Sequence, residues 1–188
     1  MIIAVKDKDR VVIACTITDA WRELADSDYV DDENLPIKIT SSGKVFVCSN
    51  MNRFSDIILF DNEFLNMDVN PKNIVKEIIP YIKEKVQACN YSLDNEGRWH
   101  NAMVICDNEH IYDISPSFYF KEEHDYICHG YNVENLISAL DELKGLEPEE
   151  RIMKALSFVC RFEKTNFFPI VIIDTKNKQF KRIYKGEV

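Results

Sequence analysis

Short runs of apolar, often β-branched residues alternate with polar turns at the start of the chain. IIAV and VVIACTI flank the charged tetrapeptide KDKD, and LPIKIT and KVFVCSN flank the turn residues 41–43. Runs of this length around charged, Ser- or Gly-containing turns are typical of β-hairpins. The pattern therefore predicts two consecutive hairpins, and it places the first residues of the chain in a strand.

Helical spacing replaces the strand pattern in the next segment. Apolar residues between positions 53 and 65 recur largely at helical intervals, which predicts one amphipathic helix. A second helix is predicted to begin at Asn70, which can cap it, with Pro71 at the first helical position. Pro80 has no backbone N–H to donate, so we expect it to kink or break this second helix.

The second half of the chain repeats the order of strands followed by helices. AMVICDNEHIYDIS predicts two strands around DNEH, and HDYICHGYN predicts a short strand that ends at Gly130. VENLISALDEL and PEERIMKALSFVCRF predict two amphipathic helices, and residues 168–173 and 180–184 predict a closing hairpin. The aromatic and acidic segment FYFKEEHDY is interpreted as a covering loop or contact patch.

The order of the elements indicates the fold class. Helices come in consecutive pairs, whereas a parallel βαβ sheet needs a helix between successive strands, so antiparallel sheets are favoured. Strands buried on both faces would explain the nearly continuous apolar runs. We therefore predict an α+β fold, a four-layer αββα sandwich with antiparallel sheets. No linker or repeat divides residues 1–188, so a single domain is expected.

Composition and charge narrow the possible partners. The chain has 188 residues and a formal net charge of −9, which disfavours nucleic acid. Six cysteines without a CxxC pair are typical of reduced, buried thiols in a cytoplasmic protein. No apolar window long enough for a membrane span and no signal peptide are found, so no membrane partner is expected. The histidines lack metal-ligand spacing, and we expect neither a metal nor a cofactor.

Several segments resemble proteasome β-type subunits, and HslV in particular, in order and spacing. They are the opening hairpin, KITSSGKVFVCSN leading into RFSDIILFDNEF, GRWHNAMVICDNEHIYDIS, ICHGYNVENLISAL and LEPEERIMKALSFVCRF. The resemblance covers essentially the whole chain. It implies the fold of the N-terminal-nucleophile (Ntn) hydrolases, which is the αββα sandwich that the order of elements also predicts.

The resemblance implies a nucleophile at the first residue of the first strand. In that family a Thr, Ser or Cys begins the mature chain, and its α-amino group, with a reference pKa of about 7.7 to 8.0, serves as general base. Met1 or Ile2 falls at this place, and neither side chain can attack a carbonyl. We expect Met1 to be retained because Ile2 follows it, so the chain lacks the standard nucleophile.

The residues that would support a nucleophile are altered as well. Lys38 falls at or within two residues of the family's catalytic lysine, although an exposed alternate position of a strand is the simpler interpretation. Thr16 falls near the carboxylate that orients this lysine, and a hydroxyl cannot hold a lysine by charge. Lys38, Thr16 and Cys15 are therefore weak catalytic candidates.

A second set of positions corresponds to the family's active-site cleft. Cys128 stands near the family's serine, His129 replaces a frequent glycine, and Gly130 is retained. With Met1 and Ile2 they form the predicted ligand-binding positions. Cys128 and His129 also suggest a Cys/His pair, but neighbouring residues of a strand point to opposite faces.

Three functions follow from these residues. The preferred one is a non-proteolytic protein of this fold that acts by assembly or by ligand binding, with homo-oligomers through its helical layers and a peptide or small molecule as the expected partners. The alternative is an active peptidase or amidase with an unconventional nucleophile, such as Cys15 or Thr16 after a self-cleavage that makes either residue N-terminal. The third discards the resemblance and predicts a small α+β binding module that presents the aromatic residues 118–120.

Overall fold

Two stacked antiparallel sheets form the centre of the molecule. The computed structural model describes residues 1–16, 35, 37–49, 57–89, 97–99, 101–130, 132–163 and 168–184. Within these residues the strands are β1 (Ile2–Asp7), β2 (Arg10–Thr16), β3 (Ile37–Ile39), β4 (Val45–Cys48), β5 (Met103–Cys106), β6 (Ile111–Ile114), β7 (Phe120–Glu123), β8 (Tyr126–His129), β9 (Ile170–Asp174) and β10 (Gln179–Ile183). The first sheet has the order β10, β9, β2, β1, β8, and the second has the order β3, β4, β5, β6, β7.

Helices cover the outer face of each sheet. Helix α1 is Asn62–Leu65, and α2 consists of Pro71–Asn73, a π-helical segment Ile74–Ile78 and Ile79–Ala88. Helices α3 (Val133–Glu142) and α4 (Pro148–Glu163) cover the first sheet. Among the described residues, no helix is long and apolar enough to span a membrane.

Three buried apolar clusters lie between these four layers. The inter-sheet cluster includes Ile2, Val11 and Val104, from both sheets. A second cluster packs the first sheet on α3 and α4, and a third packs the second sheet on α1 and α2. Alternate residues of a strand point to opposite faces, so strands with apolar residues on both faces supply two clusters at once. The predicted α+β αββα sandwich is confirmed, and the stacked sheets argue against a small single-sheet binding module.

The helix predicted over residues 53–65 is wrong in its second half. Residues 53–56 lie outside the described residues, and residues 57–59 are helical, but the chain leaves the helix before Asp61. The Asp61 carboxylate accepts hydrogen bonds from the N–H groups of Glu63 at 3.0 Å and Phe64 at 3.4 Å, and so starts α1. Lys85 holds this carboxylate from α2 at 2.9 Å. A capping aspartate therefore divides a pattern that apolar spacing alone joins.

Pro80 does not break helix α2. The backbone stays helical through Ile78, with φ −66° and ψ −51°, and Asn70 caps the start of the helix through a 3.0 Å bond from the N–H of Asn73. One turn before Pro80 the helix widens, and the N–H of Ile79 donates to the carbonyl of Ile74, five residues back. A π turn of this kind gives the proline ring more room than an α turn, which would press it on the carbonyl four residues back.

The segment interpreted as a covering loop contains an edge strand. β7 pairs with β6 in the register Ile114↔Phe120 to Ile111↔Glu123. Its sequence FKEE has three charged residues, which are typical of an edge strand that avoids pairing with other chains. An alternation of apolar and polar residues could not reveal this strand, because Phe120 is its only apolar residue.

Arg151 connects α4 to the turn before β8. Its side chain is only 4% exposed, and its guanidinium donates to the Asp125 carboxylate at 2.7 Å and to the carbonyl of Leu140 at 2.8 Å. Hydrogen bonding to Arg151 lowers the pKa of Asp125 below its ordinary value of 3.8. The backbone carbonyl of Asp125 also accepts from the N–H of Lys6, so this pair anchors the end of the first sheet at β8.

We expect Asp125→Asn to destabilise the protein by about 1–3 kcal/mol. The substitution removes the negative charge of the only carboxylate that Arg151 contacts among the described residues. A lowered carboxyl pKa stabilises the folded state above the unfolded pKa, and this contribution is lost as the pH falls through the folded value. The difference in unfolding free energy between the two proteins should thus shrink below about pH 4. Urea unfolding at several pH values measures this difference in unfolding free energy.

Glu150→Gln, in an exposed pair with Lys154, is the control and should change stability by less than about 0.5 kcal/mol. An equal loss of stability in both variants contradicts the role of Arg151.

Candidate functional site

The start of β1 is packed between two other strands. Ile2 lies opposite Cys15 of β2 and His129 of β8, and it is 1% exposed in the inter-sheet cluster. The α-amino group of Met1 donates to the hydroxyl of Thr16 at 2.8 Å, and the N–H of Thr16 donates to the carbonyl of Met1 at 3.0 Å. The half-buried Met1 side chain packs against the cluster under α3 and α4. Both layers are therefore occupied at this end of β1.

Gly130 allows the start of β1 to approach β8 closely. Its φ is +128°, and a Cβ atom at this position would lie 2.9 Å from the Cα atom of Met1. Any larger residue would meet both an unfavourable backbone conformation and a backbone contact. The glycine that the sequence retains thus has a packing role against Met1.

Lys38 lies on the other side of the second sheet. Its neighbours Ile37 and Ile39 face the inter-sheet cluster, so Lys38 faces the opposite, helix-covered side. Its Nζ atom lies 4.1 Å from the ring centre of Phe60. The structure does not bring Lys38 into the layer that contains Ile2, and this placement agrees with the alternate-position interpretation.

The two candidate cysteines are buried thiols. Cys15 is 2% exposed in the inter-sheet cluster, and burial raises its pKa to about 12 against the weaker opposite effect of the nearby α-amino group. Burial also raises the pKa of Cys128 to about 12, although the positive charge of Arg151 acts in the opposite direction. Since the thiolate is the nucleophilic form, neither residue is activated for attack.

A cleft of about 660 Å³ lies beside β6, β7 and β8. His129 crosses it: its Nε2 atom lies 2.8 Å from Oδ1 of Asp113 on β6, which joins the two sheets. Both side chains are mostly buried, with 23% and 14% exposed. Cys128 packs on the helix side in the cluster with α3 and α4, so it and His129 point to opposite faces, as their adjacency predicts.

Sequence reasoning missed Asp113 as the partner of His129. Asp113 lies opposite Val104 of the inter-sheet cluster, so it faces the first sheet. The signal was a lone carboxylate in the apolar strand IYDI, but a single strand does not indicate which distant residue meets it. Among the described residues, no group of three His, Cys, Asp or Glu side chains could hold a metal ion.

Stacked antiparallel sheets between helical layers are the Ntn-hydrolase fold of proteasome-type subunits. No protein-family model and no curated relative matches the sequence.

Solved structures of proteasome-type proteins share this fold. BPH of Thiobacillus denitrificans, solved in complex with epoxomicin, aligns with a TM-score of 0.71 at 15% identity over 92% of this chain and 96% of that one. Anbu (ancestral beta-subunit) from Yersinia bercovieri aligns with a TM-score of 0.62 at 15% identity over 98% and 87%. HslV from Trypanosoma brucei aligns with a TM-score of 0.60 at 14% identity over 92% and 97%. At these identities the similarity establishes the fold and leaves the chemistry to the residues of this chain.

We expect Gly130→Ala to destabilise the protein more than Gly145→Ala. Both glycines have positive φ values, +128° and +101°, but a Cβ atom at Gly145 would meet nothing within 4 Å, whereas one at Gly130 would collide with Met1. Backbone strain should cost about 1 kcal/mol in each variant, and displacement of Met1 should add about 1–3 kcal/mol at Gly130. Urea unfolding of the two variants measures the difference, and equal losses would show that Met1 does not depend on Gly130.

Proposed function

We propose that this protein has the proteasome-type fold without N-terminal-nucleophile hydrolysis, and that it acts by assembly or by binding a peptide or small ligand. The main support for this proposal is the packing at the start of β1, where Met1 and Ile2 enter the layers on either side of the sheet. Nucleophilic catalysis of acyl transfer needs a hydroxyl, thiol or amine that a nearby base can activate. A thioether and a hydrocarbon at the start of β1 supply neither a hydroxyl nor a thiol for this attack.

The surroundings of Met1 support the same proposal. Lys38 faces the helical side of its sheet, and the hydroxyl of Thr16 accepts from the α-amino group where the resemblance implies a carboxylate. A general base beside a nucleophile and a charged group that tunes its pKa are the parts such a mechanism needs. Of these three parts, only the α-amino group as a possible base lies in the expected place among the described residues around the start of β1.

Assembly through the helical layers is the structural part of the proposal. Large apolar side chains remain exposed on one helix of each outer layer: Val75 of α2 by 54% and Phe158 of α4 by 52%. Exposed large apolar residues are candidates for protein contacts, and these two lie on opposite outer layers of the sandwich. We propose a cytoplasmic homo-oligomer in which these faces meet, without nucleic acid or membrane.

One observation favours the alternative of an unconventional hydrolase. The α-amino group of Met1 lies 2.8 Å from the Thr16 hydroxyl, and an amine beside a hydroxyl is the pair that N-terminal catalysis uses. However, a cut before Cys15 or Thr16 would remove β1, which pairs with both β2 and β8. An active hydrolase of this kind would therefore have to lose β1 before either residue becomes N-terminal.

A panel of fluorogenic peptides tests the proposed function, together with intact-mass analysis after incubation with epoxomicin, the compound in the BPH structure. We expect no turnover above the buffer control and no mass increase, because no nucleophile starts β1. Thr16→Val, Cys15→Ala and Lys38→Ala are the matched variants.

Turnover that one of these variants abolishes would contradict the proposal and support the hydrolase. Turnover that all three variants retain equally would indicate a contaminating peptidase, since it would not depend on any candidate group of this chain. An epoxomicin adduct that Thr16→Val removes would likewise assign Thr16 as the nucleophile.

A further inference from the structure

We draw no further inference here: the strongest candidate, the cleft beside β6, β7 and β8 together with the adjoining edge of β8, carries none because nothing in the described part of the chain shows what occupies it.

Discussion

Strand β1 is the element on which the first sheet and the layers on both of its faces depend. It pairs with β2 over six residues and with β8 over four, and its alternate side chains enter different layers. Ile2 and Ala4 pack between the sheets, whereas Ile3 and Val5 pack under α3 and α4. Each of these four side chains is at most 1% exposed, so the strand contributes to the hydrophobic free energy of two clusters along its length.

This constraint explains the chemistry at the start of the strand. A catalytic first residue must combine a paired backbone with a side chain that reaches substrate. Here Ile2 fills the inter-sheet layer, Met1 fills the helix side, and Gly130 leaves space for the Met1 backbone. The accessible space lies beside the edge strands, where His129 and Asp113 hold β8 to β6 and Glu123 of β7 lies on the inter-sheet side. The fold thus places this cleft beside β8, the strand that pairs with the start of β1.

Much of the fold could be predicted from the sequence because its strands are apolar on both faces and its turns are polar. Asn70 and Pro71 likewise mark the start of α2 by local chemistry. The capping of α1 by Asp61, the π turn before Pro80 and the charged strand β7 could not be predicted, since tertiary contacts or pairing partners decide them. For the site, the alternation of side chains along a strand correctly predicts that Cys128 and His129 point to opposite faces of the sheet. The partner of His129 depends on how two sheets stack, which local sequence does not encode.

The mass of the purified chain, fresh and after prolonged incubation, tests most directly whether the start of β1 remains part of the core. The account predicts one species that retains β1, because this strand is paired on both edges. A species that begins at Cys15 or Thr16 would contradict it. Such a product would show that the chain removes its own first strand to expose a nucleophile.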